Sequence, residues 1–225
     1  MDVWILNIET ATTNCSVSIS KNGELINCQE LNTIKYKHQE NLHNLIQESI
    51  TKCNINLTDL SGVAVSKGPG SFTGLRIGVA AAKGLCFALQ IPLISINTLT
   101  ILSQNIKVKK GTLIAPMIDA RRMEVYTQLQ DYNYKVLRTS WSEILNLNSF
   151  NDFLYDNKII AFGLGSEKCK DIISHKNFSI GEINSYPTAK NMVKFSFEKW
   201  NQNQFEDIAY FEPYYLKDFY SNLNT

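Results

Sequence analysis

Gly68-Pro69-Gly70-Ser71-Phe72-Thr73-Gly74-Leu75-Arg76-Ile77-Gly78 is the stretch on which the fold of this chain turns, and it holds four of the eleven glycines. The apolar run Gly62-Val63-Ala64-Val65-Ser66 ahead of it reads as a strand. Leu75 to Leu89 behind it reads as a helix. A glycine loop between a strand and a helix lets main chain come close to something, either a phosphate or another piece of backbone.

Upstream, Val3 to Ile8 is almost continuously apolar, the pattern of a strand buried on both faces. Cys15 to Ser20 alternates, and Asn22-Gly23 separates it from Glu24 to Leu31, the strongest short signal for a hairpin. Tyr36 to Cys53 is helical, with Leu42, Leu45, Ile46, Ile50 and Cys53 on one side. Downstream of the glycine loop, Leu93 to Ile96 is another short strand.

The second half starts like the first. Leu113 to Ile118 ends in Asp119, as Val3 to Ile8 ends in Glu9. Met123 to Gln130 turns near Tyr132-Asn133 and returns through Lys135 to Arg138. Ile159 to Phe162 then runs into Gly163-Leu164-Gly165-Ser166, an echo of Gly68-Pro69-Gly70-Ser71. The order of elements is mixed α/β, and its repetition predicts a degenerate duplication. The expected lobes are residues 1–106 and 107–225. Thr188 is placed to cap a last helix of about fifteen residues. The aromatic segment Phe211 to Leu216 is expected to pack on the body.

A net charge of +1 creates no global field toward nucleic acid or membrane. Cys15, Cys28, Cys53, Cys86 and Cys169 form no CxxC pair, which fits unpaired thiols in a reducing cytoplasm. The opening Met-Asp-Val-Trp has no basic leader, and the most apolar stretch, Leu85 to Ile96, is too short to span a bilayer.

Catalytic constellations are scarce. The glycine loop lacks the Gly-Lys-Ser/Thr of a P-loop. It also lacks the acid of a dinucleotide fingerprint, since no Asp or Glu occurs from Leu60 through Ile118. A phosphate site on Gly68, Gly70 and Ser71 stays open as a reading. The competing one is packing, because Gly74, Gly78 and Ala82, spaced by four, give a bare helix face that another element can approach. His38 and His43 do not converge on a helix, and no HExxH or cysteine cluster exists. Ser71 and Thr73 read as capping hydroxyls rather than nucleophiles, with His175 remote. Glu9 and Asp119, at the ends of the leading strands, could together hold Mg²⁺ with phosphates, or could each be structural acids. Lys67, Arg76, Lys83, Lys107, Lys109 and Lys110 in the acid-free window form either a solvated face or one that meets nucleic acid.

Three segments together resemble the TsaB (YeaZ) family: Ile8-Glu9-Thr10-Ala11-Thr12, the glycine segment 68–78, and Asp119-Ala120-Arg121-Arg122 with Glu124-Val125-Tyr126. Pro213 with Tyr215-Leu216 resembles that family's tail. The similarity is clear over residues 3–126. It implies two ribonuclease H-like lobes of the actin-like/sugar kinase/Hsp70 superfamily. It also implies a role in threonylcarbamoylation of adenosine 37 in tRNAs that read ANN codons.

In that scheme TsaD transfers the group with help from TsaB and the ATPase TsaE. A TsaB-like chain is then a cytoplasmic, non-catalytic activator of TsaD with no metal site of its own. It docks through the two first-lobe helices, here by Leu42, Leu45, Ile46, Gly74, Leu75, Gly78, Val79 and Ala82, and pairs with itself when alone. The candidates near a nucleotide are Glu9, Thr10, Gly68, Gly70, Ser71 and Asp119, with ATP or ADP at a subunit junction and none held tightly by the lone chain. tRNA is met only within the complex, and no membrane is involved. Glu9 stands where the family usually has Asp, and its longer side chain crowds a phosphate site. The rival expectation is an active phosphotransferase or ATPase of the same superfamily.

Overall fold

A computed structural model describes residues 2–32 and 38–217 of the chain. The first sheet contains β1 (Trp4–Glu9), β2 (Asn14–Lys21), β3 (Glu24–Asn32), β4 (Gly62–Gly68) and β5 (Leu93–Asn97). Helix α1 (His38–Lys52) joins β3 to β4, and α2 (Phe72–Leu89) joins β4 to β5. The expected helix start at Tyr36 lies outside the described residues. Short α3 (Thr98–Ser103) leads to the second sheet: β6 (Thr112–Asp119), β7 (Glu124–Gln130), β8 (Val136–Ile144), β9 (Lys158–Phe162) and β10 (Phe178–Ile180). Helix α4 (Asn151–Leu154) precedes β9, and α5 (Val193–Asn201) follows β10.

The two sheets have the same strand order, β3-β2-β1-β4-β5 and β8-β7-β6-β9-β10. In each, the first three strands form an antiparallel meander and the last two join it in parallel. This is the duplicated, two-lobed architecture of the actin-like/sugar kinase/Hsp70 superfamily. The second copy is reduced. Where the first lobe has the 18-residue α2, the second has a four-residue 3₁₀ turn, Ser166–Cys169.

Local chemistry explains the elements. β1 is almost continuously apolar because it is covered on both faces. Leu6 and Ile8 face the core under α1 and α2 with Val17, Leu42 and Val79, whereas Ile5 faces Ala64, Ile94 and Met192. Asn22 and Gly23 both have positive φ, 52° and 82°, and Lys21 pairs with Glu24. Such a two-residue turn matches the twist of the strands it joins. Ser71 caps α2 by accepting the Gly74 N–H at 3.2 Å. All five cysteines are free.

The expected second lobe of 107–225 is too wide. Ala189 and Met192 are fully buried with Ile5, Ala64 and Ile94, and Phe195, Phe197 and Trp200 pack on the same cluster. After β10 the chain therefore returns to the first sheet, whose far face would otherwise be bare apolar surface. Thr188 precedes a 3₁₀ turn, Ala189–Met192, and then α5, but its hydroxyl is hydrogen-bonded to Glu30 rather than capping the helix. The lobes share a buried cluster in which Leu99 and Leu102 of α3 meet Ile114, Ile118 and Phe162.

Candidate functional site

Two places were singled out by the sequence: the turn after β1, and the pair α1 and α2. In the first, the β1–β2 turn lies directly under the β4–α2 loop. The Ser71 N–H donates to the Ala11 carbonyl at 2.7 Å. Thr10 Oγ1 donates to the Gly74 carbonyl at 2.8 Å. His38 Nε2 lies 2.6 Å from the Thr12 carbonyl, and burial lowers the pKa of His38 against the opposing effect of that hydrogen bond. The neutral ring donates there, so His38 is a core residue that pins the turn.

The glycines are explained by this contact. A Cβ on Gly70 would strike the Ala11 carbonyl, one on Gly74 the Thr10 carbonyl, and one on Gly78 the Thr10 hydroxyl. Of the two readings of the loop, close approach of backbone to backbone is the one realised. Gly68, with φ 112°, meets the carbonyl of Tyr214 from the C-terminal segment in the same way.

Glu9 is wholly buried. Its Oε1 accepts the Ala11 N–H at 2.6 Å, while Oε2 has no hydrogen-bond partner. Burial, only partly offset by hydrogen bonding, pushes the Glu9 carboxyl up to about 7. Asp119 is half exposed. Its Oδ1 accepts the Arg121 N–H and the Lys168 ammonium, both at 2.6 Å. No hydrogen bond or ion pair among the described residues joins Asp119 to Glu9. The residues expected near a nucleotide are Glu9, Thr10, Gly68, Gly70, Ser71 and Asp119. The first four are buried or pressed against main chain, Ser71 is spent on its cap and on Ala11, and Asp119 faces Lys168. Among the described residues no group of three or more His, Cys, Asp or Glu is placed to hold a metal ion.

The helix pair needs a second correction. Leu42, Leu45, Ile46, Gly74, Leu75, Gly78, Val79 and Ala82 are all buried in the chain's own core. They hold α1 and α2 to the sheet, and a partner cannot reach them. The opposite face of α2 is the available one. Ala80, Gly84, Phe87 and Ala88 are exposed there, Phe87 by 71%, and Gly84 looks into open space. Successive residues on a helix are 100° apart, so Gly78-Ala82 and Ala80-Gly84-Ala88 are two small-residue stripes on opposite sides of one helix. A helix apolar all round was the available signal. α2 is in fact long and apolar enough to cross a membrane by length and composition, with 33% of it buried, and it packs along the first sheet. Of the basic window, Arg76 and Lys83 are engaged with the C-terminal segment.

A duplicated two-lobed fold whose leading turn is filled by its own glycine loop defines the class: a superfamily member without a formed phosphate pocket on that turn. Residues 32–216 match the family described as "TsaD: tRNA N6-adenosine threonylcarbamoyltransferase". The tRNA threonylcarbamoyladenosine biosynthesis protein TsaB of Buchnera aphidicola subsp. Schizaphis graminum is 33% identical over 87% of this chain and 93% of its own length. The same-named protein of Escherichia coli K12 is 28% identical over 95% and 94%. The chain belongs to the TsaB family, within the wider group that includes TsaD. A crystal structure from Pseudomonas aeruginosa, described as an uncharacterized protein with similarity to peptidase YEAZ, superposes with a TM-score of 0.83 at 21% identity, over 96% of this chain and all of that one. A second, "YeaZ from Pseudomonas aeruginosa", gives 0.80 at 22%, over 95% and 100%.

Proposed function

We propose that this chain serves threonylcarbamoyladenosine biosynthesis on tRNA as a non-catalytic subunit that docks on TsaD and activates it. The observation that carries the proposal is the division of labour on α2. One face is consumed by the sheet and the β1–β2 turn, and the other presents Ala80, Gly84, Phe87 and Ala88 to solvent. Small residues at intervals of four let a partner helix approach closely, and an exposed aromatic beside them is the usual anchor of such a contact. The filled turn supports the non-catalytic part, because a phosphate has no entry there without moving main chain. Transfer to adenosine 37 of ANN-decoding tRNAs, cooperation with the ATPase TsaE, nucleotide at a subunit junction, self-pairing of the lone chain and a cytoplasmic setting belong to the same proposal.

Size exclusion with light scattering, on this chain alone and mixed with TsaD from the same organism, tests it. A mixed complex that is lost with Gly84→Arg, while the circular dichroism of the variant matches wild type, is the expected result. A chain that ignores TsaD at micromolar concentrations overturns it.

A further inference from the structure

The segment that follows α5 does more than close the chain. The Glu206 N–H donates to the Leu93 carbonyl at 2.8 Å, adding a bridge to the edge of the first sheet. Lys83 of α2 donates to the carbonyl of Phe211 at 3.0 Å and to that of Ala209 at 3.4 Å. The Tyr214 N–H donates to the Lys67 carbonyl at 2.6 Å, at the mouth of the glycine loop. The Tyr215 ring packs on Phe72 at 5.0 Å between centroids, and its hydroxyl accepts from Arg76 Nε at 3.3 Å. Arg76 in turn lies 3.9 Å above Phe72. Lys217 then crosses to the second lobe and pairs with Glu124 of β7, which also accepts the Ser142 hydroxyl.

The path has a mechanical meaning. α2 is otherwise held by the first sheet, by α1 and by Thr10, all within its own lobe. The segment 206–217 grips α2 at its first turn through Phe72 and Arg76 and at its middle through Lys83, and fastens the far end to the other lobe. Glu124 is suited to be the anchor. Its backbone carbonyl accepts Lys168 at 3.0 Å, and its side chain is little exposed.

We infer that residues 206–217 are a strap that sets the docking helix α2 against the second lobe, with Tyr215 and Lys217 as its positioning residues. The inference rests on the docking role of α2 for its consequence, but the strap itself is a property of the lone chain. Lys217→Glu places two like charges at the anchor, and Lys217→Arg keeps the pair.

The test has two arms on the full chain. In the first, hydrogen exchange read by mass spectrometry should rise in 209–217 and in the first turns of α2 for Lys217→Glu, and stay at the wild-type level for Lys217→Arg. In the second, Lys217→Glu should weaken binding to TsaD by about fivefold or more, the low end of coupling between separate sites, with Lys217→Arg close to wild type. Unchanged exchange in α2 overturns the strap. Raised exchange with unaltered affinity overturns its positioning role. If wild type itself fails to bind TsaD, the docking proposal falls and the exchange arm still decides the strap.

Discussion

Thr10 Oγ1 donates to the carbonyl of Gly74 while Gly78, one turn further along α2, lies where any side chain would displace that same hydroxyl. A strand-end threonine and two helical glycines thus form one contact. Gly78→Ala should lower stability by about 1–3 kcal/mol, the usual cost of overpacking, although alanine is the better helix former. Gly84→Ala, on the open face of the same helix, should raise stability by up to about 1 kcal/mol. Urea titration of both variants checks the contrast, which fails if the two midpoints move in the same direction.

Glu9 makes stability depend on pH in the direction opposite to most buried acids that are paired. Its folded carboxyl titrates at about 7, against an ordinary 4.5. Between those values the folded chain holds a proton that the unfolded chain has lost, so stability falls as pH rises through the window and stays low above it. Glu9→Gln imitates the protonated form. It should match wild type near pH 4.5 and exceed it by roughly 3 kcal/mol above pH 7, since each tenfold change in proton affinity is worth about 1.4 kcal/mol. Parallel denaturation curves across pH 5–8 would refute the assignment.

Phe87 gives a test of docking that leaves folding alone. Its ring is largely in solvent, so Phe87→Ala should change the stability of the lone chain by no more than about 0.5 kcal/mol. As an anchor at a helix interface it should cost the TsaD complex at least about 2 kcal/mol. Calorimetric titration into TsaD, beside a thermal melt, separates the two.

Leu102 tests whether the lobes unfold together. Its buried side chain joins α3 to Ile114, Ile118 and Phe162 of the second sheet. Leu102→Ala should cost about 2–5 kcal/mol. The transition followed at Trp200, against the first sheet, and at Trp141, against the second, should move by the same amount. Separated transitions would show that the shared cluster does not couple them.

The strands were legible because two simple patterns, a continuous apolar run and a two-residue Asn-Gly turn, are fixed by local chemistry, and β1, β2 and β3 follow from them. The duplication was legible for the same reason, through Glu9 and Asp119 at matching strand ends. Gly74, Gly78 and Ala82 do mark a close approach, but periodicity cannot say whether the thing approached is a partner or the same chain; Gly74 and Gly78 meet Thr10. Gly68 and Gly70 carry the same ambiguity, since glycine admits a carbonyl oxygen as readily as a phosphate oxygen, and the carbonyls of Tyr214 and Ala11 are what they meet. The return of Ala189 and Met192 to the first sheet, and the strap through Tyr215 and Lys217, depend on pairings between distant parts of the chain, 139 residues apart for Tyr215 with Arg76 and 93 for Lys217 with Glu124. No local pattern encodes those.

The occupant of the β1–β2 turn is main chain, and this bears on how the protein can change over generations. A pocket blocked by a side chain is one codon away from being open. Here the obstruction is the backbone of residues 70–74 lying on the backbone of residues 10–12, and each glycine that permits it is already the smallest residue available. Substitution can only wedge the two segments apart at random or destabilise both. Reopening the turn requires a deletion or a re-routed loop, which no single substitution supplies.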